Sequence, residues 1–195
     1  MKFQESKLAH FWCKGEGVEI GAAAHNPFNL KGCLFLANKE RVEFWKQSEI
    51  NMCGDYVKPD MYGDAENISL KDSSLDYVIS SHVIEHVPNP IKAFLEWKRV
   101  LKDQGIVFMI FPKRDADPSD VNRPVNEVSD FYNQYEDPQP LTDEHCHIWI
   151  FTLQTMIGLI SYCNKEYNLG WTIIDSEETD SKVGNGSCVV ARVNK

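Results

Sequence analysis

Short apolar runs alternate with amphipathic stretches along most of this 195-residue chain, and this alternation constrains the fold more than any other sequence feature. The runs at 18–21, 34–37, 75–80 and 106–111 have the length of buried strands. The last of them, IVFMIF, is apolar throughout, which is typical of parallel strands covered on both faces. Strands alternating with helices predict a doubly wound α/β fold with a mostly parallel sheet.

One helix is predicted between the third and fourth apolar runs. Asn89 is a capping residue, and Pro90 suits a first helical turn. Lys102 suits the negative end of the helix, and Gly105 lets the chain leave it. The sequence therefore predicts a crossover helix that starts at Asn89 and runs toward Gly105.

The C-terminal part of the chain predicts one more helix and a hairpin. Residues 152–162 have a helical pattern. The runs 171–175 and 187–193 are joined by a polar turn that contains Gly-Asn-Gly, which favours an antiparallel pair of strands.

Residues 112–147 differ from the rest of the chain. They hold five of the nine prolines and nine acidic against three basic side chains, and they show no sustained periodicity. Loops of this length within a compact domain are usually lids or binding loops. We therefore expect one domain over 1–195 with an insert or lid at about 112–147 that contacts the substrate. An ordered surface insert without a ligand is the alternative.

The charge balance and the hydropathy exclude several functions. Lys and Arg number 20 against 29 Asp and Glu, a net charge of −9 that repels phosphate backbones and anionic lipids. No apolar run reaches the roughly 18 residues of a membrane span, and no signal-peptide core is present. The six cysteines form no C-x-x-C pair, which favours reduced thiols. We expect a cytoplasmic protein that binds neither nucleic acid nor membrane.

Four segments, taken in order, carry a resemblance to a known family. They are EIGAAA (19–24), GDAEN (63–67), DYVISSHVIEHV (76–87) and FLEWKRVLKDQGIVFMIFPKR (94–114). Together they resemble class I S-adenosylmethionine-dependent methyltransferases of the group with the HVLEH signature, over about residues 15–114. The resemblance implies a Rossmann-like, seven-stranded, mostly parallel sheet with an antiparallel final strand. It also implies S-adenosylmethionine as cofactor and S-adenosylhomocysteine as product.

The resemblance also implies a cofactor site. Glu19 and Gly21 would flank the methionine moiety, and Ala22, Ala23 and Ala24 would form the cofactor loop. Asp64 and Ala65 would meet the adenine, and Ser80, Ser81 and His82 would line the floor near the sulfonium.

Two positions depart from the family pattern. Ala23 stands where the family loop has its second glycine, and it adds strain only if its φ is positive. Ala37 or Asn38 stands where the family has an acidic residue that holds the ribose hydroxyls, and Glu40 reaches that place only if the register differs. Loss of the charge would cost about 1.5 to 3 kcal/mol, or one to two decades in affinity.

Two functions follow from these residues. The first is methyl transfer to a small-molecule or saccharide-like acceptor, with His82 and His145 as candidate general bases and no metal. The second is a catalytically inactive binding or assembly module with a methyltransferase-like fold, which the two departures motivate.

A third pattern suggests a different chemistry. The segment from His82 to His86 matches H-x-x-E-H, a zinc-hydrolase motif with Glu85 as its carboxylate. That motif needs a sustained helix, which Pro88 and Pro90 disfavour. The only carboxylate on the following helix is Glu96, and the cluster of residues 144–147 lies far along the chain. Zinc-dependent hydrolysis is therefore a minor alternative.

Overall fold

A seven-stranded sheet forms the centre of the protein in a computed structural model that describes residues 2–141 and 147–195. In chain order the strands are β1 Gly17–Ile20, β2 Cys33–Ala37, β3 Met61–Tyr62, β4 Leu75–Ser81, β5 Leu101–Pro112, β6 Trp171–Glu177 and β7 Gly186–Val193. Their order across the sheet is β3-β2-β1-β4-β5-β7-β6. Among the described strands, β7 pairs antiparallel with both β5 and β6, and all other pairs are parallel. The predicted fold class is confirmed, including the reversed final strand and the C-terminal hairpin.

Helices flank the sheet on both faces. They are α1 Lys7–Trp12, α2 Val42–Cys53, α3 Pro90–Val100, α4 Val128–Glu136 and α5 Leu153–Tyr167, with short 3-10 turns at Ile84–His86 and Pro118–Asp120. Apolar side chains of α3, α4 and α5 pack in one core cluster, and those of α1 pack in a second. The sheet is therefore covered by two layers, as a doubly wound fold requires.

The position of β4 and β5 at the centre of the sheet explains why their sequences are mostly apolar. Successive side chains of a strand point to opposite faces. In β4, Val78 joins the α3 cluster, whereas Tyr77 and Ile79 join the α1 cluster. In β5, Met109 and Phe108 divide between the clusters in the same way. Both faces are buried, so neither strand has a solvated side on which polar residues would be favoured.

The crossover helix ends earlier than the sequence predicts. Asn89 caps α3 through its side-chain oxygen, which accepts from the Lys92 backbone N–H at 3.0 Å. The helix ends at Val100 because Leu101 already pairs with Leu75 of β4. Lys102 therefore lies on a strand, where its ammonium donates to Asp76 at 2.8 Å, rather than on the last turn of a helix.

Helix α5 is longer than predicted. It continues five residues past 162 to Tyr167. It ends where Asn168 adopts a left-handed conformation with φ 51°, a geometry that asparagine tolerates better than most residues.

The insert contains regular structure, a helix too short to give a sustained periodicity over 112–147. Helix α4 begins with a capping box in which Glu127 and Asp130 satisfy each other's backbone N–H groups. Val128, Phe131 and Tyr135 have helical spacing, and the Phe131 ring is fully buried in the α3 cluster. This part of the insert is packed against the domain.

Among the described residues, no helix is long and apolar enough to cross a membrane. The five described cysteines have free thiols. Burial raises the pKa of the Cys163 thiol to about 12, which keeps it protonated and unreactive at neutral pH.

Candidate functional site

The carboxyl ends of β1, β2, β3 and β4 meet at one edge of the sheet because these strands are parallel. The chain fills the sheet outward from β1 in one direction and from β4 in the other, so the order reverses between these two adjacent strands. Open α/β sheets bind ligands in the crevice beyond such a reversal. The residues that follow the four strands are Gly21, Asn38, Gly63 and His82.

The loop after β1 lies against the loop after β4. Gly21 has φ 68°, and a Cβ added to it would lie 2.7 Å from Cγ2 of Val83. Both the left-handed backbone and this close approach require glycine here. Ala22 and Ala24 continue the loop with small side chains.

Ala23 fits its place in this loop without strain. It is not among the residues with positive φ, and its carbonyl accepts from the Asn26 backbone N–H at 3.1 Å. Where Ala23 replaces the second glycine of the family loop, it therefore adds a methyl group but no backbone strain.

Asn26 is a site residue that the sequence interpretation missed. Its side chain is buried, and its Nδ2 donates to Oγ of Ser81 at the end of β4 at 3.3 Å. Its Oδ1 and the Oγ of Ser80 are buried and have no hydrogen-bond partner within the described ranges 2–141 and 147–195. The Asn-Pro pair at 26–27 marks a turn, which was the available signal.

Glu19 is a buried carboxyl group in the middle of the sheet. Burial raises its pKa to about 8, and the nearby Lys182 ammonium opposes this rise. Lys182 donates to the carbonyl oxygens of Gln4 and Pro27, which holds it beneath the β1 loop. At neutral pH the Glu19 carboxyl is therefore mostly protonated and can donate a hydrogen bond.

Asn38 and Asp64 form a polar pair at the ends of β2 and β3. The Asn38 amide donates to the Asp64 carboxylate. Its Oδ1 accepts from the backbone N–H groups of Glu40 and Arg41 at 2.9 and 3.1 Å. The register Ala37 to Tyr62 fixes Asn38 at the strand end, and it puts Glu40 in the exposed turn that follows. A carboxylate therefore does lie beside the end of β2, but it belongs to Asp64, which follows β3.

His82 follows β4 in a conformation that is rare for residues with a side chain, with φ 53°. Its backbone N–H donates to the Ile110 carbonyl at 2.9 Å. Its Nδ1 lies 3.7 Å from Oε1 of Glu85, and its buried Nε2 has no hydrogen-bond partner in the described part of the chain. Burial is the main cause that lowers the pKa of His82, which favours the neutral imidazole. The other candidate base, His145, lies outside the described residues.

The H-x-x-E-H segment does not form a helix that a zinc hydrolase of that type requires. Residues Ile84–His86 form a 3-10 turn, and Val87 is extended with φ −81° and ψ 121°. Glu96, the expected third ligand, accepts from the Arg99 guanidinium and from the Ile68 backbone N–H. The structure thus gives the hydrolase alternative no support.

Glu85 is a fully buried carboxyl group in the turn after β4. It is 0% exposed, and neither carboxyl oxygen has a hydrogen-bond partner among the residues described. Burial raises its pKa to about 8. Its backbone carbonyl, by contrast, accepts from the N–H groups of Ile148 and Trp149 at 2.9 and 3.1 Å. The end of the insert is therefore tied to the turn after β4.

A shallow cleft of about 390 Å³ lies beyond the carboxyl end of β5, next to this site. Lys113 and Arg114 from the start of the insert line it, together with Thr152 and Asn185. The Lys113 ammonium donates to Oγ1 of Thr179. Asp115 and Glu178 also line the cleft, which thus combines basic, acidic and hydroxyl-bearing side chains.

Comparison with known proteins gives a family match. Residues 41–109 match the family model described as a methyltransferase domain. A curated relative, an uncharacterized protein of Methanocaldococcus jannaschii, is 28% identical over 122 residues. The match covers 61% of this chain and 55% of that protein, so the chain spans about half the length of the relative.

Solved structures have the same fold. An S-adenosylmethionine-dependent methyltransferase from Thermotoga maritima superposes with a TM-score of 0.57 at 19% identity, covering 96% of this chain and 86% of that one. One from Methanosarcina mazei gives 0.56 at 16% identity over 100% and 99% of the two chains. A Haloferax volcanii protein solved with the Trm112 methyltransferase activator gives 0.54 at 13% identity over 97% and 88%.

The fold is the one that the resemblance implied, that of S-adenosylmethionine-dependent methyltransferases of known structure. Residues 41–109 match the family model of a methyltransferase domain, and the chain is similar in fold to S-adenosylmethionine-dependent methyltransferases.

Proposed function

We propose that this protein transfers a methyl group from S-adenosylmethionine to a small-molecule or saccharide-like acceptor. The observation that carries the proposal is the crevice between the ends of β1 and β4. There a glycine backbone at Gly21 packs on Val83, and two buried polar atoms, Asn26 Oδ1 and Ser80 Oγ, have no hydrogen-bond partner within the described ranges. Buried polar atoms are rarely left unpaired, so this crevice is built for a polar ligand.

The residues around the crevice fit the cofactor. The set proposed to hold it is Glu19, Gly21, Ala22, Ala23, Ala24, Asn38, Asp64, Ala65, Ser80, Ser81 and His82. When bound, S-adenosylmethionine supplies an activated methyl group on a sulfonium that carries its own leaving group. The protein then has mainly to align donor and acceptor, and positioning of this kind supplies roughly 7 to 11 kcal/mol.

Asn38 and Asp64 are proposed to bind the polar part of the nucleoside. Family members use an acidic residue at the end of the second strand, and here Asp64 stands beside Asn38 at that edge. The pair offers a carboxylate that accepts from hydroxyl or amine groups. This arrangement, with the unstrained Ala23, favours a working cofactor site over a catalytically inactive binding module, and a measured cofactor affinity decides between them.

The acceptor is proposed to enter from the side of the insert. His82 is the candidate general base because it stands at the end of β4, with Nε2 buried and without a hydrogen-bond partner among the described residues. The cleft at Lys113 and Arg114, which Asp115 and Glu178 also line, suits an acceptor with hydroxyl groups. A net charge of −9 argues against nucleic acid as acceptor, and the cytoplasmic location stays a prediction.

Calorimetric titration with S-adenosylmethionine and with S-adenosylhomocysteine tests the proposal. We expect micromolar binding to wild type and about ten- to a hundred-fold weaker binding to Asp64→Ala, because a charge-assisted hydrogen bond is lost. The matched control is Asp103→Ala, which removes an exposed carboxylate near the opposite end of a strand. Failure of both ligands to bind wild type would contradict the cofactor site.

Catalysis is tested separately from binding. Methyl transfer from labelled S-adenosylmethionine to a panel of saccharides and small hydroxyl compounds is measured for wild type and His82→Asn. A general base contributes about 10² to 10⁴-fold to the rate, so turnover should fall by that range. Cofactor binding without transfer to any acceptor class would instead favour the binding module.

A further inference from the structure

Three potential metal ligands meet where the insert returns to the turn after β4. One ligand atom each of Glu85, His86 and His147 lies within 4.8 Å of the other two. Nε2 of His86 is 3.9 Å from Oε1 of Glu85, and the His86 and His147 rings pack edge to face with centroids 5.0 Å apart. None of these contacts is needed for the proposed cofactor site.

The Glu85 side chain is the independent sign of a ligand. It is 0% exposed, and its two oxygens have no hydrogen-bond partner in residues 2–141 or 147–195. A buried carboxylate is costly unless it is paired or coordinates a metal. The imidazoles of His82, His86 and His147 lie beside it instead of a permanent cation, so the side chains next to this carboxyl group supply no fixed positive charge.

His147 is oriented as metal-binding histidines are. Its Nδ1 lies 2.5 Å from Oδ2 of the buried Asp120, so this nitrogen donates and Nε2 carries the lone pair. A carboxylate that holds the second ring nitrogen is the usual outer partner of a metal-bound imidazole. Arg123 holds Asp120 at 2.9 Å and also donates to the carbonyls of His147 and Ile148.

The backbone fixes the two halves of the cluster relative to each other. The N–H groups of Ile148 and Trp149, directly after His147, donate to the carbonyl of Glu85. The Trp149 indole also donates to the Val87 carbonyl at 2.8 Å, on the other side of His86. The three ligands are therefore held together by main-chain contacts before any ion binds.

We propose that Glu85, His86 and His147 bind a divalent transition-metal cation, with Asp120 as the positioning residue for His147. Two imidazoles and one carboxylate suit zinc or iron(II), and such a site leaves further coordination positions for water or a ligand. Ligand bonds of about 2.0 to 2.2 Å require the three atoms to close by about 1 Å. The proposal does not rest on methyl transfer. The site differs from the H-x-x-E-H motif because it uses His147 and not His82, whose Nδ1 lies 3.7 Å from Oε1 of Glu85.

Zinc titration of the full chain, after treatment with a chelator and dialysis, tests the site. We expect one equivalent to bind at micromolar strength or tighter. Glu85→Gln, His86→Gln and His147→Gln should each weaken binding more than the ten- to hundred-fold loss expected for the outer-partner variant Asp120→Asn. His86 is partly exposed, so His86→Gln keeps the test valid if Glu85→Gln fails to fold.

Two controls separate this site from other zinc sites. His82→Asn removes the first histidine of the H-x-x-E-H motif, and His10→Asn removes a distant histidine that contacts the Phe28 carbonyl at 2.8 Å. His10→Asn should bind zinc as wild type does, and His82→Asn, which keeps all three proposed ligands, should lose much less affinity than His147→Gln. The cobalt-loaded protein should show d–d bands without the charge-transfer band of a thiolate ligand.

Three results would overturn the proposal. They are no zinc binding by wild type, zinc binding that His86→Gln and His147→Gln leave unchanged, and a loss in His82→Asn as large as in His147→Gln. Since zinc affinity is measured without cofactor or acceptor, each result is independent of whether the protein transfers methyl groups.

Discussion

Glu96 on α3 and Glu85 in the turn before that helix are both largely buried. They differ in the hydrogen-bond donors that surround their carboxyl groups. The Glu96 carboxylate accepts from the Arg99 guanidinium at 2.7 and 2.8 Å and from the Ile68 N–H at 2.6 Å. These hydrogen bonds lower its pKa despite burial. Glu85 has no such donors among the described residues, and burial raises its pKa to about 8.

The difference separates a structural carboxylate from one available to a ligand. Arg99 also donates to the Leu70 carbonyl, so the Glu96 network fastens α3 to the segment before β4. Glu85 fastens the insert only through its backbone carbonyl, and its side chain contributes no hydrogen bond within the described ranges. Glu96, whose side chain stabilises the fold, and Glu85, whose side chain is available to a ligand, thus lie within about one helix length of each other.

Removal of Arg99 should give the largest effect on stability. Arg99→Ala leaves the Glu96 carboxylate, with 12% of its side chain exposed, without its cation. We expect a loss of about 2 to 4 kcal/mol in the free energy of unfolding, measured by urea titration. The control Lys92→Ala, on the same helix, removes a lysine whose side chain is 58% exposed and which lies 3.5 Å from Glu66, and it should cost less than about 1 kcal/mol. Equal losses would show that the Glu96 network is no stronger than a surface pair.

The same distinction explains what the sequence could predict. Strands and the cap of α3 were predictable because apolar runs and residues such as Asn89 act locally. The end of α3 was not, because it depends on Leu101 pairing with the distant Leu75. Helix α4 gave a signal in the spacing of Val128 and Phe131, but this signal spans little more than two turns.

The candidate site divides in the same way. The positions of Gly21 and His82 could be predicted because each directly follows a strand, and all such positions meet at one edge of a parallel sheet; their roles in a cofactor site stay predictions. The contact between His147 and Asp120 joins residues 27 positions apart, and it forms only once the insert folds back onto Glu85. No local pattern encodes that return.

Glu19 sharpens the comparison because it is buried like Glu85 but has a cation, Lys182, nearby. Its folded-state pKa of about 8 lies above its ordinary value of 4.5, so the unfolded chain loses this proton first as pH rises. The stabilisation that Glu19 provides is complete below about pH 4.5 and is lost as pH rises through 8.

Glu19→Gln should therefore remove part of the pH dependence of stability. Between pH 6 and 8, wild type should lose on the order of 2 kcal/mol relative to the variant, measured by urea titration without cofactor. Glu43→Gln removes an exposed carboxylate and should keep the wild-type pH dependence. Parallel pH curves for wild type and Glu19→Gln would mean that Lys182 keeps Glu19 ionised in the folded protein.

Glu85→Met gives the smallest expected change and the most direct test of the contrast with Glu96. In chelator-treated protein the substitution replaces a buried carboxyl that lacks a described hydrogen-bond partner with an apolar side chain of similar size. We expect a gain of about 1 kcal/mol in the free energy of unfolding, whereas Glu96→Met should lose about 2 kcal/mol because Arg99 loses its partner. Urea titrations of both variants measure this. A loss of more than 1 kcal/mol in Glu85→Met would show that the metal-free fold itself depends on the Glu85 carboxyl, which is the role that Glu96 has.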